Sequence, residues 1–360
     1  MIETLVLTDF RNHSMCKIKT HGRRNVIITG PNGAGKTAVL EALSLLSGDR
    51  GMRHAPMNEI ARFNATGGFS VFARLHDDTE IAVTYSATDS NRRGRIDGDA
   101  APLAALATRM HMVWVTPRED RIFVDVASER RAFFDRLAAG FDLAHAGRVA
   151  RFSKLLSERA YALKSGGNVR LMDALDNQIA SVAVSIAAAR IQYAGELNYF
   201  LENCAVSVDG MIESMLISGR TPTAAEREYR EYLGGARELA GDKMILDGVH
   251  KSDFGVFNRV LNLPANLTST GQQKTVLLDL ILAHARLLYT KTGTRAIVLL
   301  DEAAAHLDAA ARAKMFAALR DADAQVWATG LDAAVFADVK DAVFVACENG
   351  AISNILVGDE

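Results

Sequence analysis

Gly30-Pro31-Asn32-Gly33-Ala34-Gly35-Lys36-Thr37 decides how this chain is read. The octapeptide has the pattern G-x-x-x-x-G-K-T and stands between an apolar stretch, residues 25–29, and an amphipathic one, residues 37–46. A strand that turns through such a loop into a helix aims successive backbone amides and the positive end of the helix dipole at one point, which makes an anion site. Glycine lets the backbone approach a phosphate more closely than any side chain would permit. Lys36 adds a mobile cation for β- and γ-phosphates, and the Thr37 hydroxyl is placed as a ligand for Mg²⁺. Residues 30–37 are therefore expected to bind a nucleoside triphosphate.

A second stretch completes that expectation. Ile297-Val298-Leu299-Leu300-Asp301-Glu302 reads as a buried strand of four apolar residues that ends in two carboxylates. Carboxylates at the C-terminal edge of a sheet strand face the ligand. Asp301 is expected to hold Mg²⁺ through water, and Glu302 to orient and deprotonate an attacking water. Alone, a strand ending in Asp-Glu is equally well read as solvated loop charge; after the octapeptide it reads as the other half of a hydrolytic site.

The chain has 360 residues, 49% hydrophobic and 23% charged, the balance of a globular protein with one large or two ordinary domains. No apolar run approaches the ~20 residues that span a bilayer, and the N-terminus does not read as a signal peptide, so no membrane partner and a cytoplasmic location are expected. Cys16, Cys204 and Cys347 are scattered, without metal-ligand spacing. A net charge of −2 gives no general attraction to nucleic acid, so any DNA contact must come from local Arg and Lys clusters.

Along the chain, Ile2, Leu5 and Leu7 lead to a turn at Asp9-Phe10-Arg11-Asn12, and apolar alternation at residues 69–75 and 81–85 predicts a hairpin turning at His76-Asp77-Asp78-Thr79. Residues 111–115 read as a buried strand. From about residue 125 the period changes. Val149, Phe152, Leu155, Leu156 and Leu163, then Met172, Leu175, Ile179, Val182 and Ile186, follow helical spacing, with a reversal at Ser165-Gly166-Gly167-Asn168. A third helix is expected from Pro222. Beyond residue 270 helices and strands alternate again, and Asn349-Gly350 predicts a final hairpin.

Leu267-Thr268-Ser269-Thr270-Gly271-Gln272-Gln273-Lys274 resembles the signature motif of ABC ATPases. In that family a Ser and a Gly at a helix N-terminus meet the γ-phosphate held by the opposite subunit, and Ser269 and Gly271, with Gln272 beside them, occupy those places. The same residues also read as an ordinary helix cap, and the two readings are compatible. Ala305-His306-Leu307-Asp308 resembles the D-loop, in which Asp308 would help align a dimer; His306 is read as packing or capping. Four further stretches narrow the family: Asp9-Phe10-Arg11-Asn12, Ser47-Gly48-Asp49-Arg50-Gly51-Met52-Arg53, Ser128-Glu129-Arg130-Arg131-Ala132-Phe133-Phe134-Asp135 and Gly248-Val249-His250-Lys251-Ser252-Asp253. With these in order, the chain is similar over essentially its whole length to the RecF family of SMC/ABC-type ATPases. A true SMC protein would carry hundreds of coiled-coil residues.

The resemblance implies an α/β fold with an ABC-ATPase-like head, in which a mixed sheet carries the P-loop beside an antiparallel β subdomain. A helical lobe of short antiparallel helices would be inserted at residues 126–245, between head segments 1–125 and 246–360. It implies ATP and Mg²⁺ as cofactors, Arg11 and Asn12 close to the nucleotide, Arg50 and Arg53 as weaker candidates, and a weak, DNA-stimulated ATPase. It also implies a nucleoid-associated homodimer that closes on double-stranded or gapped DNA when ATP binds, working with RecR and RecO to help load RecA.

Departures from the pattern stand beside it. Thr268 replaces the leading Leu of the signature, and no Gln follows Trp114-Val115-Thr116-Pro117, leaving Glu119 or Asp120 in that role. Thr329-Gly330 stands where a switch His is usual. Arg92-Arg93-Gly94-Arg95, Arg130-Arg131 with Arg136, and Lys154, Arg159 and Lys164 could neutralise phosphates, or could be surface and structural charge, with Glu129 and Asp135 as partners of Arg130 and Arg131. The alternative function is an ABC-type switch that acts on a protein partner without binding DNA.

Overall fold

The computed structural model describes residues 1–360 apart from 64, 66, 89, 239–245, 303–306, 308 and 358–360, with the backbone alone for 238 and 353–357. The strands, in chain order, are β1 (Ile2–Phe10), β2 (His13–Lys19), β3 (Asn25–Thr29), β4 (Gly68–Leu75), β5 (Glu80–Ser86), β6 (Asn91–Ile96), β7 (Asp99–Ala101), β8 (Met112–Val115), β9 (Cys204–Asp209), β10 (Asp253–Asn258), β11 (Leu263–Pro264), β12 (Ile297–Leu300), β13 (Gln325–Gly330), β14 (Ala342–Glu348) and β15 (Ala351–Val357). The helices are α1 (Lys36–Leu45), α2 (Met57–Ile60), α3 (Leu103–Leu106), α4 (Ala127–Ala139), α5 (His145–Lys164), α6 (Val169–Phe200), α7 (Met211–Ile217), α8 (Pro222–Glu238), α9 (Thr270–Thr292) and α10 (Ala309–Asp321). Among the described residues no helix is long and apolar enough to cross a membrane.

The chain divides into two compact units. The first comprises Met1–Asp120 and Ile281–Glu360, and the second Arg121–Leu280. The first unit holds an antiparallel sheet of order β2-β1-β4-β5-β6-β7 and a mixed sheet of order β15-β14-β3-β13-β12-β8, parallel except for its β15 edge. Residues of β1, β4 and β5 share one apolar core with β3 and α1. Nine of the ten α1 residues, from Lys36 to Leu45, are buried, so this helix has almost no solvent face. A helix apolar nearly all round is one that lies inside a core.

The register fixes where chemistry can occur. Thr29 of β3 pairs with Gly330 of β13 and Ala346 of β14, while Leu300 of β12 pairs with Ala328 of β13. The C-terminal ends of β3, β13 and β12 therefore finish along one edge. β13 separates β3 from β12, so whatever ends β13 stands between the loop after β3 and the carboxylates after β12.

The second unit carries its own core around α5, α6 and α8. Here the structure corrects the sequence reading. The lobe is not built of short helices alone, because α6 runs for 32 residues and an antiparallel sheet of order β11-β10-β9 lies in the same unit. Cys204, Val206 and Val208 alternate inward in β9, and Phe254 and Val256 in β10, a two-residue period that the surrounding helical spacing obscures. The Asn198 amide donates to the Val206 carbonyl and accepts from the Val206 N–H, both at 2.8 Å, which satisfies the edge of β9. This unit also takes in residues 246–280, which the sequence pattern assigned to the head. The expected turn at residues 9–12 is shorter, since β1 runs through Phe10 and Arg11 alone of Arg11 and Asn12 has a positive φ, at 52°.

Leu43 is fully buried in α1. Leu43→Ala is expected to lower stability by about 2–5 kcal/mol through lost transfer energy and the cavity left behind, read as a lower urea midpoint with unchanged slope.

Candidate nucleotide-binding site

The loop after β3 is shaped by glycines that no other residue could replace. Gly30 (φ 151°) lies so close to the Cys347 carbonyl that a Cβ would sit 2.0 Å from its oxygen, and a Cβ on Gly35 (φ 110°) would be 2.6 Å from His13 Nε2. Lys36 is buried, and its ammonium donates to the Gly30 carbonyl at 2.7 Å and the Pro31 carbonyl at 3.0 Å. This places the cation inside the curve of the loop. Asn32, Gly33, Gly35, Lys36 and Thr37 line a cavity of about 1100 Å³, together with Arg11, Asn12, Arg53 and Glu302.

Asp301 is the hub. Its Oδ1 accepts from the Thr37 hydroxyl at 2.9 Å and from the Thr329 hydroxyl at 2.9 Å, and the Glu302 N–H donates to the Thr329 hydroxyl at 2.9 Å. One hydroxyl at the end of β13 thus joins the two carboxylate residues, because β13 lies between their strand and β3. Burial raises the Asp301 pKa, the hydrogen bonds from Thr329 and Thr37 oppose that rise, Glu302 adds to it, and the positive charge of Arg53 pulls it down. Glu302 adopts a left-handed backbone, φ 58°, a strained conformation for a non-glycine residue. The converging Thr37 hydroxyl and Asp301 carboxylate are hard oxygen donors suited to Mg²⁺.

Three groups not singled out in the sequence brace the loop from behind. His13 is fully buried, with Nδ1 2.7 Å from the Gly350 carbonyl and Nε2 3.1 Å from the Gly35 carbonyl. The Gly350 N–H donates to the Ala34 carbonyl at 2.9 Å, and the Cys347 thiol to the same oxygen at 3.1 Å. Their only sequence signal is position: His13 follows the Asp9–Asn12 motif, and Gly350 belongs to a hairpin turn. Thr329 was visible only as the residue in place of a switch His.

Other expected residues fall as follows. Arg11 lines the cavity, but its guanidinium is held by both Glu41 oxygens, at 2.8 and 2.6 Å, and by the Glu59 carbonyl at 2.9 Å. Asn12 donates to the Gly33 carbonyl at 3.3 Å. Glu119 is buried and accepts from the Thr116 N–H at 2.9 Å, so its carboxylate caps its own turn. Ser269 caps α9: its N–H donates to Gln272 Oε1 at 2.9 Å, and the Gln272 N–H reaches the Ser269 hydroxyl at 3.4 Å, a reciprocal capping box. Ser269, Gly271 and Gln272 are exposed. His306 and Asp308 lie outside the described residues.

The basic clusters are largely committed. Arg130 makes a two-pronged ion pair with Asp253, at 2.8 and 2.7 Å, and Arg131 donates to the Ser252 carbonyl at 2.6 Å. Their expected partner Asp135 instead receives Arg190 and His145. Arg159 is buried against Asp176 at 2.6 Å, and Arg92 holds the Gly48 carbonyl at 3.1 Å and also donates to that of Asp49. Lys154 is exposed beside Glu158.

Comparison with known proteins fits this geometry. The family model for the RecF/RecN/SMC N-terminal domain matches residues 1–354. A DNA replication and repair protein RecF of Brucella suis is 38% identical over 371 aligned residues, covering 98% of this chain and 96% of that one. The chain belongs to the RecF family. A RecF of Rhizobium leguminosarum is 37% identical, with 94% and 95% of the two chains covered. A solved structure of a recombination mediator RecF with ATP superposes with a TM-score of 0.84 at 22% identity over 99% of both chains, and an Smc head domain from Pyrococcus furiosus with a TM-score of 0.55 at 13% identity. These two likenesses concern the fold. The expected ABC-ATPase-like head with an inserted lobe is thus the RecF-type architecture.

Thr329→Val keeps the volume and removes the hydroxyl that joins Asp301 to Glu302. The expected result is an ATP hydrolysis rate lowered by about tenfold or more, with ATP affinity changed by less than about threefold, read by single-turnover hydrolysis and nucleotide titration.

Proposed function

We propose that this RecF-family chain is an ATP-dependent DNA-binding protein of recombinational repair and replication-fork maintenance. ATP binding would pair two copies into a clamp on double-stranded or gapped DNA, and slow hydrolysis would release it. The observation that carries this reading is the Thr37–Asp301–Thr329–Glu302 chain of hydrogen bonds facing a glycine cradle with Lys36 in its curve. In the proposed mechanism the loop amides and Lys36 bind the β- and γ-phosphates, and Thr37 and Asp301 hold Mg²⁺, which supplies charge neutralisation at the phosphates. Glu302 accepts the proton of the attacking water. Its backbone is fixed by Thr329, so the carboxylate need not be ordered at the moment of reaction.

The exposed capping box at Ser269 supports the dimer. A Ser hydroxyl and amides at the exposed start of a 23-residue helix form an anion site. In the proposal it meets the γ-phosphate held by a second copy, with Asp308 at the junction. The names carried by the relatives, a DNA replication and repair protein and a recombination mediator of the RecFOR pathway, support RecR and RecO as partners, and the family resemblance implies RecA loading as the outcome.

One observation favours the second reading, an ABC-type switch acting on a protein. Arg130, Arg131 and Arg159 are committed to ion pairs and carbonyls inside the second unit, which removes them as free phosphate contacts. Fluorescence anisotropy with gapped, duplex and single-stranded DNA, under ATP and ADP, separates the two. The clamp predicts ATP-dependent binding of gapped or duplex DNA that weakens steeply with salt, and a dimer in sedimentation. Negligible DNA affinity with an intact ATP-driven dimer would leave the switch.

Two variants give the expected magnitudes. Lys36→Ala weakens ATP binding at least about tenfold, since hydrogen bonds to a charged group are lost. Glu302→Gln slows hydrolysis by about 10²–10⁴-fold, as removal of a general base does, and prolongs the ATP-bound dimer.

A further inference from the structure

On the first unit, a second cavity of about 160 Å³ lies between α10 and the segment that leads into β14. Ala309, Ala313 and Ala317 stand on one face of α10, and their small side chains leave the space open. Arg312, Arg320 and Lys340 line it, against one carboxylate, Asp338. The volume is well below the roughly 300–1,000 Å³ of pockets for drug-sized ligands, yet holds several waters' worth of space at about 30 Å³ each. It suits a small, strongly charged group.

Arg312 is the anomaly that gives the cavity meaning. Its side chain is 8% exposed, so the guanidinium has been taken out of water. Buried arginines are almost always paired with carboxylates, because an uncompensated buried charge is costly. Among the described residues Arg312 has no ion pair; it donates to the Leu307 carbonyl at 2.9 Å and lies over the Phe336 ring at 5.9 Å. A guanidinium carries five N–H donors in a planar fork, and the shape of that fork matches two oxygens of a phosphate. The two further cations stand at the rim and are exposed.

We propose that this cavity binds a small oxyanion of the phosphate type, with Arg312 as its buried fork and Arg320 and Lys340 as rim cations. The small volume favours a free anion such as inorganic phosphate or pyrophosphate over a phosphate within duplex DNA. Arg312 also donates to the Leu307 carbonyl, which leaves the remaining donors of its fork for the anion. The site is separate from the glycine cradle, whose lining shares no residue with it.

The test is calorimetric titration of pyrophosphate and of inorganic phosphate into the full chain, into Lys36→Ala, and into Lys36→Ala carrying Arg320→Ala and Lys340→Ala. The Lys36 change weakens anion binding at the cradle, and the rim changes are on exposed side chains that the fold tolerates. The expected result is saturable binding in the Lys36→Ala chain that weakens at least about tenfold when the two rim cations are removed, through lost charge-assisted hydrogen bonds. Duplex DNA affinity, measured in the same three chains, assigns the source. Unchanged DNA affinity identifies a free anion, whereas a parallel loss with pyrophosphate competing against DNA identifies a DNA phosphate in the same site. Binding that is absent in Lys36→Ala, or equal with and without the rim cations, overturns the proposal.

Discussion

The first unit depends on a helix that has given up its contact with water. α1 emerges from the glycine loop and runs into a core shared by the antiparallel sheet and by β3 of the mixed sheet. A fully buried Leu contributes about 1.5–3 kcal/mol, and α1 supplies Leu40, Leu43 and Leu45 to one place. Ridges packed on all sides cannot slide or tilt without opening voids, so the helix is held in one position. The loop at its N-terminus inherits that position. An anion site made of backbone amides is only as ordered as the helix behind it, and here the order comes from apolar packing rather than from the polar groups that do the chemistry.

A buried helix creates a polar debt inside it. Glu41, 1% exposed on α1, is a carboxylate in the core, and it is tolerated because Arg11 meets both of its oxygens. That pair ties the β1–β2 turn to the helix. The family resemblance placed Arg11 near the nucleotide, and it does line the cavity, but its observed bonds are those of a brace. Thr329 follows a similar logic on the other side. Where ABC ATPases usually place an imidazole at the end of this strand, a hydroxyl here accepts from Glu302 and donates to Asp301, a short link that orders two carboxylate residues without carrying charge.

The parts of this arrangement that were legible in the sequence are those whose signal is local. The octapeptide at residues 30–37, the apolar strand before Asp301-Glu302 and the Asn349-Gly350 turn each announce themselves within a few residues, because each satisfies a local backbone requirement. The helices of the second unit were legible from period. The sheet β9–β10 was not, since its two strands lie 43 residues apart and each is too short to outweigh the helical spacing around it. Nor was the pairing of Arg130 with Asp253, 123 residues away, where neighbours in sequence offered Glu129 and Asp135. His13 and Cys347 were invisible as braces because a residue that holds a distant carbonyl has no pattern of its own.

The back of the glycine loop rests on Cys347 and Gly350. As the chain leaves the ribosome, residues 30–37 are made early, yet Cys347 and Gly350, which hold the Ala34 carbonyl, follow more than 300 residues later. The strands β13 and β14 that flank β3 also come from this late segment. A nascent chain can therefore form the hairpin of β1 and β2 long before it can form a rigid phosphate cradle, and competence for nucleotide waits until β13, β14 and the turn at Gly350 have been made.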